Sequence, residues 1–261
     1  MKDLTELRSE IDTVDTELIE LLLKRFEITE QIGEYKAQTG KKLFDPEREK
    51  EKLKSLEERL QDCKNSLYVE NMFCSLMDCA KYQQSNNTYG EKDIYLIGMP
   101  GCGKTTIGRE LAKLIQREFI DLDQQFNVQY GMSAAECIET MGEDEFRNKE
   151  SMVLKRVSRK VKGWDSRYSV SSRVISCGGG IVVRDTNKEL LKNDSVVIYI
   201  KRDLEKLTSK GRPLSAKTGI EKLFEQRSGR YESWSDIIIN NDTDIDECVT
   251  SIARTLREMN I

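Results

Sequence analysis

The sequence contains no histidine. The commonest general base is therefore missing and a zinc site is not expected, so any chemistry falls to carboxylates, lysine, arginine and hydroxyls. Proline is scarce, at 3 in 261 residues, and long stretches hold nothing that would stop a helix. The seven cysteines are odd in number and form no Cys-x-x-Cys pair. With no apolar N-terminal stretch ahead of them, they read as reduced thiols of a cytoplasmic protein. No hydrophobic run reaches the length of a membrane span. Net charge is small too, because 42 Lys+Arg stand against 46 Asp+Glu. Neither nucleic acid nor a membrane is expected as a partner.

Glycine is unevenly spread. Of 16 glycines, only Gly33 and Gly40 precede Gly90, so the chain reads as two differently built units. The polar stretch from Gln83 to Lys92 is the expected joint. It sets a first domain over 1–85, a linker over 86–92 and a second domain over 93–261.

In the first unit apolar residues recur at Leu4, Leu7, Ile11, Val14, Leu18 and Leu21, then at Ile28, Ile32 and Tyr35. The spacing predicts one long helix, about 48 Å over some 32 residues. So short a chain cannot cover that stripe alone, and a bundle or a dimer is expected. Asp45-Pro46 supplies an N-cap and first-turn proline for a second helix. A third is predicted from about Ser66 to Gln83. Arg25 occupies the seam slot between Leu21 and Ile28, where an apolar residue belongs. A desolvated guanidinium needs a partner there, either a structural carboxylate or a bound anion. Lys36 lies about 20° around the helix from Arg25. Asp45, Arg48 and Glu49 share one face of the second helix, and Cys79 and Gln83 share one face of the third. Taken singly, Arg48 or Glu49 fits an ordinary solvated face.

The run LRSEIDTVDTELIELLLKRFEITEQIGEYK, followed by DPEREKEKL, resembles the all-helical chorismate mutases over about residues 1–85. The resemblance implies a three-helix domain that forms an intertwined homodimer and rearranges chorismate to prephenate. Arg8, Arg25, Lys36, Asp45, Arg48, Glu49 and Gln83 match the positions that surround the substrate in that family, and Cys79 stands where a serine is usual. The residue list suits the reaction, which breaks a C–O bond as a C–C bond forms and requires no proton transfer. Arginines grip carboxylates by paired hydrogen bonds, Lys36 and Gln83 can donate toward the ether oxygen, and Glu49 and Asp45 can orient the ring hydroxyl. Arg8 stands about 25 Å along the helix from Arg25 and roughly 100° around it. It is therefore expected to act on the partner's site in a two-fold dimer. The rival reading is a dimerising or ligand-sensing module without catalysis.

From Asp93 onward short apolar runs alternate with helical stretches, at Ile94–Ile97, Phe119–Leu122, Val174–Cys177, Val196–Ile200 and Ile237–Ile239. This rhythm predicts an α/β unit with a five-stranded parallel sheet. The first run enters Gly98-Met-Pro-Gly-Cys-Gly-Lys-Thr, a glycine loop between strand and helix. Such a loop aims backbone N–H groups at phosphate, and the helix N-terminus adds partial positive charge. Gly98, Gly101, Cys102, Gly103, Lys104, Thr105 and Thr106 are thus the candidate ATP-binding residues. Lys104 would reach the β- and γ-phosphates and Thr105 would hold Mg²⁺.

Four later features bear on the phosphoryl acceptor. Asp121 and Asp123 close the second strand, where the alternative reading is a helix N-cap at Asp123. Arg147 follows Phe146, with Glu150 three residues on to orient it. Gly178, Gly179 and Gly180 end the third strand, and three positions without side chains fit close approach to a ligand. Arg212 sits in a proline-bearing loop suited to a lid, and Arg227 follows on the next helix. Carboxylates for hydroxyls plus arginines for an anion describe a hydroxylated carboxylic acid.

The combination resembles shikimate kinase over about residues 92–258, with gluconate-type and nucleotide kinases as rivals. The resemblance implies that Arg147 and Arg227 bind the shikimate carboxylate, and that Asp123 and the glycine run hold the ring hydroxyls. It also implies that Asp123 takes the 3-hydroxyl proton, that Asp121 orders Mg²⁺, and that Arg212 closes over the phosphates. An arginine expected near the adenine is replaced by Lys206 or Lys210. Residues 162–172 have no assignable role. Together the two likenesses imply a bifunctional enzyme of aromatic amino-acid biosynthesis.

Overall fold

A computed structural model describes residues 2–159, 172–207, 219–242 and 244–259. The chain divides into two compact units between Thr88 and Tyr89.

The first unit is three helices. Helix α1 runs over Leu4–Thr39, where Asp3 and Glu6 form a reciprocal capping box and Gly40, at φ 69°, closes the far end. Helix α2 covers Pro46–Leu60 and starts where the sequence places it, with the Asp45 carboxylate accepting from Arg48 N at 3.1 Å. Helix α3 covers Ser66–Tyr89. It overruns the expected end at Gln83 and takes in much of the stretch read as a linker. Serine, asparagine and threonine are weak helix formers but not breakers, and the turn comes only at Gly90, φ 80°.

This unit has almost no core of its own. Among its described residues Leu56 is the only buried large apolar side chain. Leu4, Leu7, Ile11, Val14, Leu18 and Leu21 are 39–65% exposed. Where α1 and α3 do meet, they meet closely, because a Cβ on Gly33 would lie 3.1 Å from Gln84 Cγ.

In the second unit the elements follow as β1 Asp93–Ile97, α4 Lys104–Leu114, β2 Glu118–Asp121, α5 Leu122–Tyr130, α6 Ala134–Met141 and α7 Glu143–Val157. There follow β3 Arg173–Ser176, α8 Thr186–Lys192, β4 Ser195–Lys201, α9 Ile220–Trp234, β5 Ile237–Asn240 and α10 Ile245–Met259. All five expected runs are strands, and they form one parallel sheet in the order β2-β3-β1-β4-β5. Strand β1 is buried along its whole length, as a central strand covered on both faces must be. Ile94 pairs with Val174 on one side and Val196 on the other. The chain leaves β1 toward β3 and β2 and later returns to β4 on its other side, so the order reverses at β1. The crevice beyond the carboxyl end of such a strand is where ligands bind in open parallel sheets.

Candidate active sites

The loop after β1 is held in a shape only glycine permits. Gly98, Gly101 and Gly103 have φ of 145°, 85° and 101°. A Cβ on Gly98 would lie 2.5 Å from Ile200 O, and one on Gly103 the same distance from Asn241 Nδ2. That asparagine pins the loop by donating to Cys102 O at 2.7 Å. Lys104 is buried and donates to Gly98 O and Met99 O at 2.9 Å each, so its ammonium is drawn over the loop. Thr105 Oγ1 donates to Asp121 Oδ2 at 2.9 Å, with Ser176 Oγ 3.4 Å away.

Asp121 Oδ1 accepts from Asp123 N at 3.0 Å and Gln124 N at 3.3 Å. The helix cap is therefore Asp121 and not Asp123, because the Asp121 side chain is the one that reaches the first amides of α5, and Asp123 lines the cavity. That cavity, of about 530 Å³, joins the phosphate loop to Asp123, Arg147, Arg227 and the glycine run. The run is bare because side chains converge on it. A Cβ on Gly178 would lie 2.7 Å from Glu150 Oε1 and 2.9 Å from Asp123 Oδ1. On Gly179 it would strike Pro100 at 2.7 Å, and on Gly180 it would lie 2.0 Å from Arg147 Nη1.

Two buried arginines border this space. Arg147 donates to Glu150 at 2.7 Å and Glu143 at 3.2 Å, and lies 4.8 Å from the Phe146 ring. Burial opposes its charge, but the two carboxylates outweigh burial and raise its pKa. Burial pushes the Glu150 carboxyl up, against the pull of Arg147. Arg227 donates to Gly179 O at 3.1 Å, and the Tyr231 hydroxyl donates to the same carbonyl. Arg212, Lys210 and residues 162–171 lie outside the described residues. Lys206 reaches Asp242 O at 3.2 Å and the Asp203 carboxylate at 3.7 Å.

Sequence reasoning misses Glu143, Tyr231, Ser176 and Asn241. Tyr231 had a signal, since it lies one helical turn after Arg227. Asn241 had none, because only the sheet order brings the end of β5 to the phosphate loop.

In the first unit the candidates converge on one stretch of α3. Arg25 is half-buried and donates to Leu76 O at 3.1 Å. Lys36 donates to Leu43 O at 2.5 Å and lies 3.5 Å from Gln84 Oε1. Burial lowers its pKa, partly offset by Asp45. Glu49 Oε1 accepts from Lys81 at 2.7 Å. Glu49 Oε2 and Gln83 Oε1 are buried with no hydrogen-bond partner among the described residues. Cys79 is half-buried on the same helix. Two candidates stand apart in the single chain. Arg48 is exposed and pairs with Glu51 at 3.2 Å, and Arg8 is exposed near the start of α1. Lys81 went unnoticed in the sequence: its pairing with Asp78 at 3.1 Å follows helix spacing, but its reach to Glu49 needs the packing of α2 on α3.

Comparison with known proteins finds two family matches in the chain. The shikimate kinase family model matches residues 100–257, and the chorismate mutase type II model matches residues 7–85. A shikimate kinase of Clostridium botulinum is 37% identical over 169 residues, covering 62% of this chain and 96% of the relative. The solved shikimate kinase of Acinetobacter baumannii in complex with shikimate superposes with a TM-score of 0.56 at 27% identity, covering 67% of this chain and 96% of that one. The Aquifex aeolicus enzyme gives 0.53 at 29% identity, covering 64% and 97%.

Proposed function

The chain belongs to the shikimate kinase family, with a chorismate mutase type II domain ahead of the kinase, and from that premise we propose how its residues perform the two reactions. It is a bifunctional enzyme. The second unit transfers a phosphoryl group from ATP to shikimate, and the first rearranges chorismate to prephenate.

The observation that carries the kinase reading is the single cavity that joins the phosphate loop to Asp123 and to two buried arginines across the bare glycine run. Lys104 and the loop amides hold the β- and γ-phosphates. Arg147 and Arg227 grip the shikimate carboxylate, and Glu150 fixes the Arg147 fork. The 3-hydroxyl oxygen forms a bond to the γ-phosphorus as the bond to the bridging oxygen of ADP breaks, and the hydroxyl proton passes to Asp123. The glycine run lets the ring lie against backbone. Mg²⁺ prefers oxygen ligands and keeps most positions for water and phosphate. The Thr105 hydroxyl and the Asp121 carboxylate, 2.9 Å apart, fit that demand. Bound there, the ion would neutralise charge on the phosphates.

For the mutase, Arg25 and Lys36 face one stretch of α3, and Glu49 Oε2 and Gln83 Oε1, without hydrogen-bond partners among the described residues, await polar groups of a ligand. The site holds a dianion in its compact conformer, and Lys36 and Gln83 meet the charge growing on the ether oxygen. The uncovered stripe of α1 supports a homodimer in which a second copy covers it and supplies Arg8. No helix among the described residues is long and apolar enough to cross a membrane, and seven free thiols suit the cytoplasm.

One experiment tests both halves. The purified chain is given chorismate alone, then shikimate with MgATP. Prephenate and shikimate 3-phosphate are the expected products. A folded protein that makes only the phosphate would reduce the first unit to a dimerising or sensing module.

A further inference from the structure

Arg202 directly follows β4 and lines the same cavity as the phosphate loop. The reaction described above gives it nothing to do. The other cations of that lining are engaged, Lys104 by two loop carbonyls, Arg147 by two glutamates and Arg227 by Gly179 O. The Arg202 Nε is buried with no hydrogen-bond partner among the described residues, an uncommon state for a native donor. Acidic groups on the neighbouring chain are turned elsewhere: Glu232 faces Lys201 at 3.6 Å and Asp203 faces Lys206 at 3.7 Å.

The sheet fixes which ligand this guanidinium can meet. Strand β4 pairs with β1 on the side opposite β3. Its end abuts the phosphate loop, because a Cβ on Gly98 would lie 2.5 Å from Ile200 O. The glycine run that receives the acceptor follows β3, across the loop. Arg202 therefore flanks the loop on the side away from the acceptor. Lys206, one of the two lysines available for a cation near the nucleotide, is instead drawn to Asp242 and Asp203.

We propose that Arg202 is a further nucleotide-binding residue of the kinase site, its guanidinium donating to phosphoryl oxygens of the nucleotide's polyphosphate chain beyond the α-phosphate. The proposal rests on the kinase reading above. It is tested with the full chain as wild type, Arg202→Ala and Arg202→Lys, by measuring binding of MgATP, MgADP, AMP and shikimate by calorimetry. Mutase activity and thermal midpoint serve as controls of folding. Arg202→Ala is expected to weaken MgATP and MgADP about tenfold or more, the usual worth of a hydrogen bond to a charged group. AMP and shikimate should bind as to wild type, and lysine should restore part of the loss. Unchanged MgATP and MgADP affinity in a folded variant overturns the proposal. A loss confined to shikimate overturns it by placing Arg202 at the acceptor's carboxylate, and an equal loss for AMP does so by placing it at the adenosine end. A wild-type chain that binds no nucleotide overturns the kinase reading itself.

Discussion

A methyl group at Gly180 would sit 2.0 Å from Arg147 Nη1, so that glycine is a space requirement set by a guanidinium. Gly180→Ala must displace a fork already anchored on Glu150 and Glu143, while leaving the phosphate loop alone. We expect the KM for shikimate to rise about tenfold, the loss of a charged hydrogen bond, with the KM for ATP unchanged. A rise in the ATP constant instead would move Arg147 to the nucleotide. On the mutase side, burial lowers the Lys36 pKa. A lysine with a lowered pKa sheds its proton earlier as pH rises, so kcat/KM for chorismate should fall on the alkaline side below the ordinary lysine range. Kinase activity on the same samples supplies the control. A profile flat to the ordinary lysine range would mean that Lys36 is not the donor. Much at this scale was legible in the sequence, because glycine runs, arginines in seams and aspartate pairs advertise their chemistry. Which aspartate caps α5 was not, since both stand within reach of the same helix start and only the backbone decides for Asp121.

The elements were legible where their burial is simple. The five strands form one parallel sheet and read as apolar runs, and the inner three, β3, β1 and β4, are buried along nearly their whole length. Helix α1 announces itself by spacing, and α2 by Asp45-Pro46. The end of α3 was not legible, because a polar stretch with no breaker before Gly90 satisfies both linker and helix. Nor could the meeting of Lys81 and Glu49 be read, since it depends on how α2 lies along α3. The uncovered stripe of α1 carries its own prediction. If a second chain covers it in antiparallel fashion, each site takes Lys36 from one chain and Arg8 from the other. Mixing Arg8→Ala and Lys36→Ala chains under subunit exchange should restore mutase activity to about a quarter of wild type, since half the dimers are mixed and each has one intact site. No recovery despite demonstrated exchange would place Arg8 in its own chain's site or in none.

At the scale of the whole molecule, two sites stand on different physical footings. The kinase cavity is built within one chain, on a buried sheet. The helical unit has Leu56 as its one buried large apolar residue among those described, and in the proposed dimer a second copy would cover its stripe. That contrast was visible in the distribution of glycine and in a stripe too long for its own chain to bury. Chelating divalent ions should likewise stop phosphoryl transfer and spare the rearrangement, which uses no phosphate. The central claim is that one chain carries two complete and separate activities, and Lys104→Ala set beside Lys36→Ala tests it most directly, each assayed for prephenate and for shikimate 3-phosphate. Lys104→Ala should lose the phosphate product and keep mutase activity within a few fold of wild type, and Lys36→Ala should do the reverse. A folded variant of either kind that loses both products would contradict it.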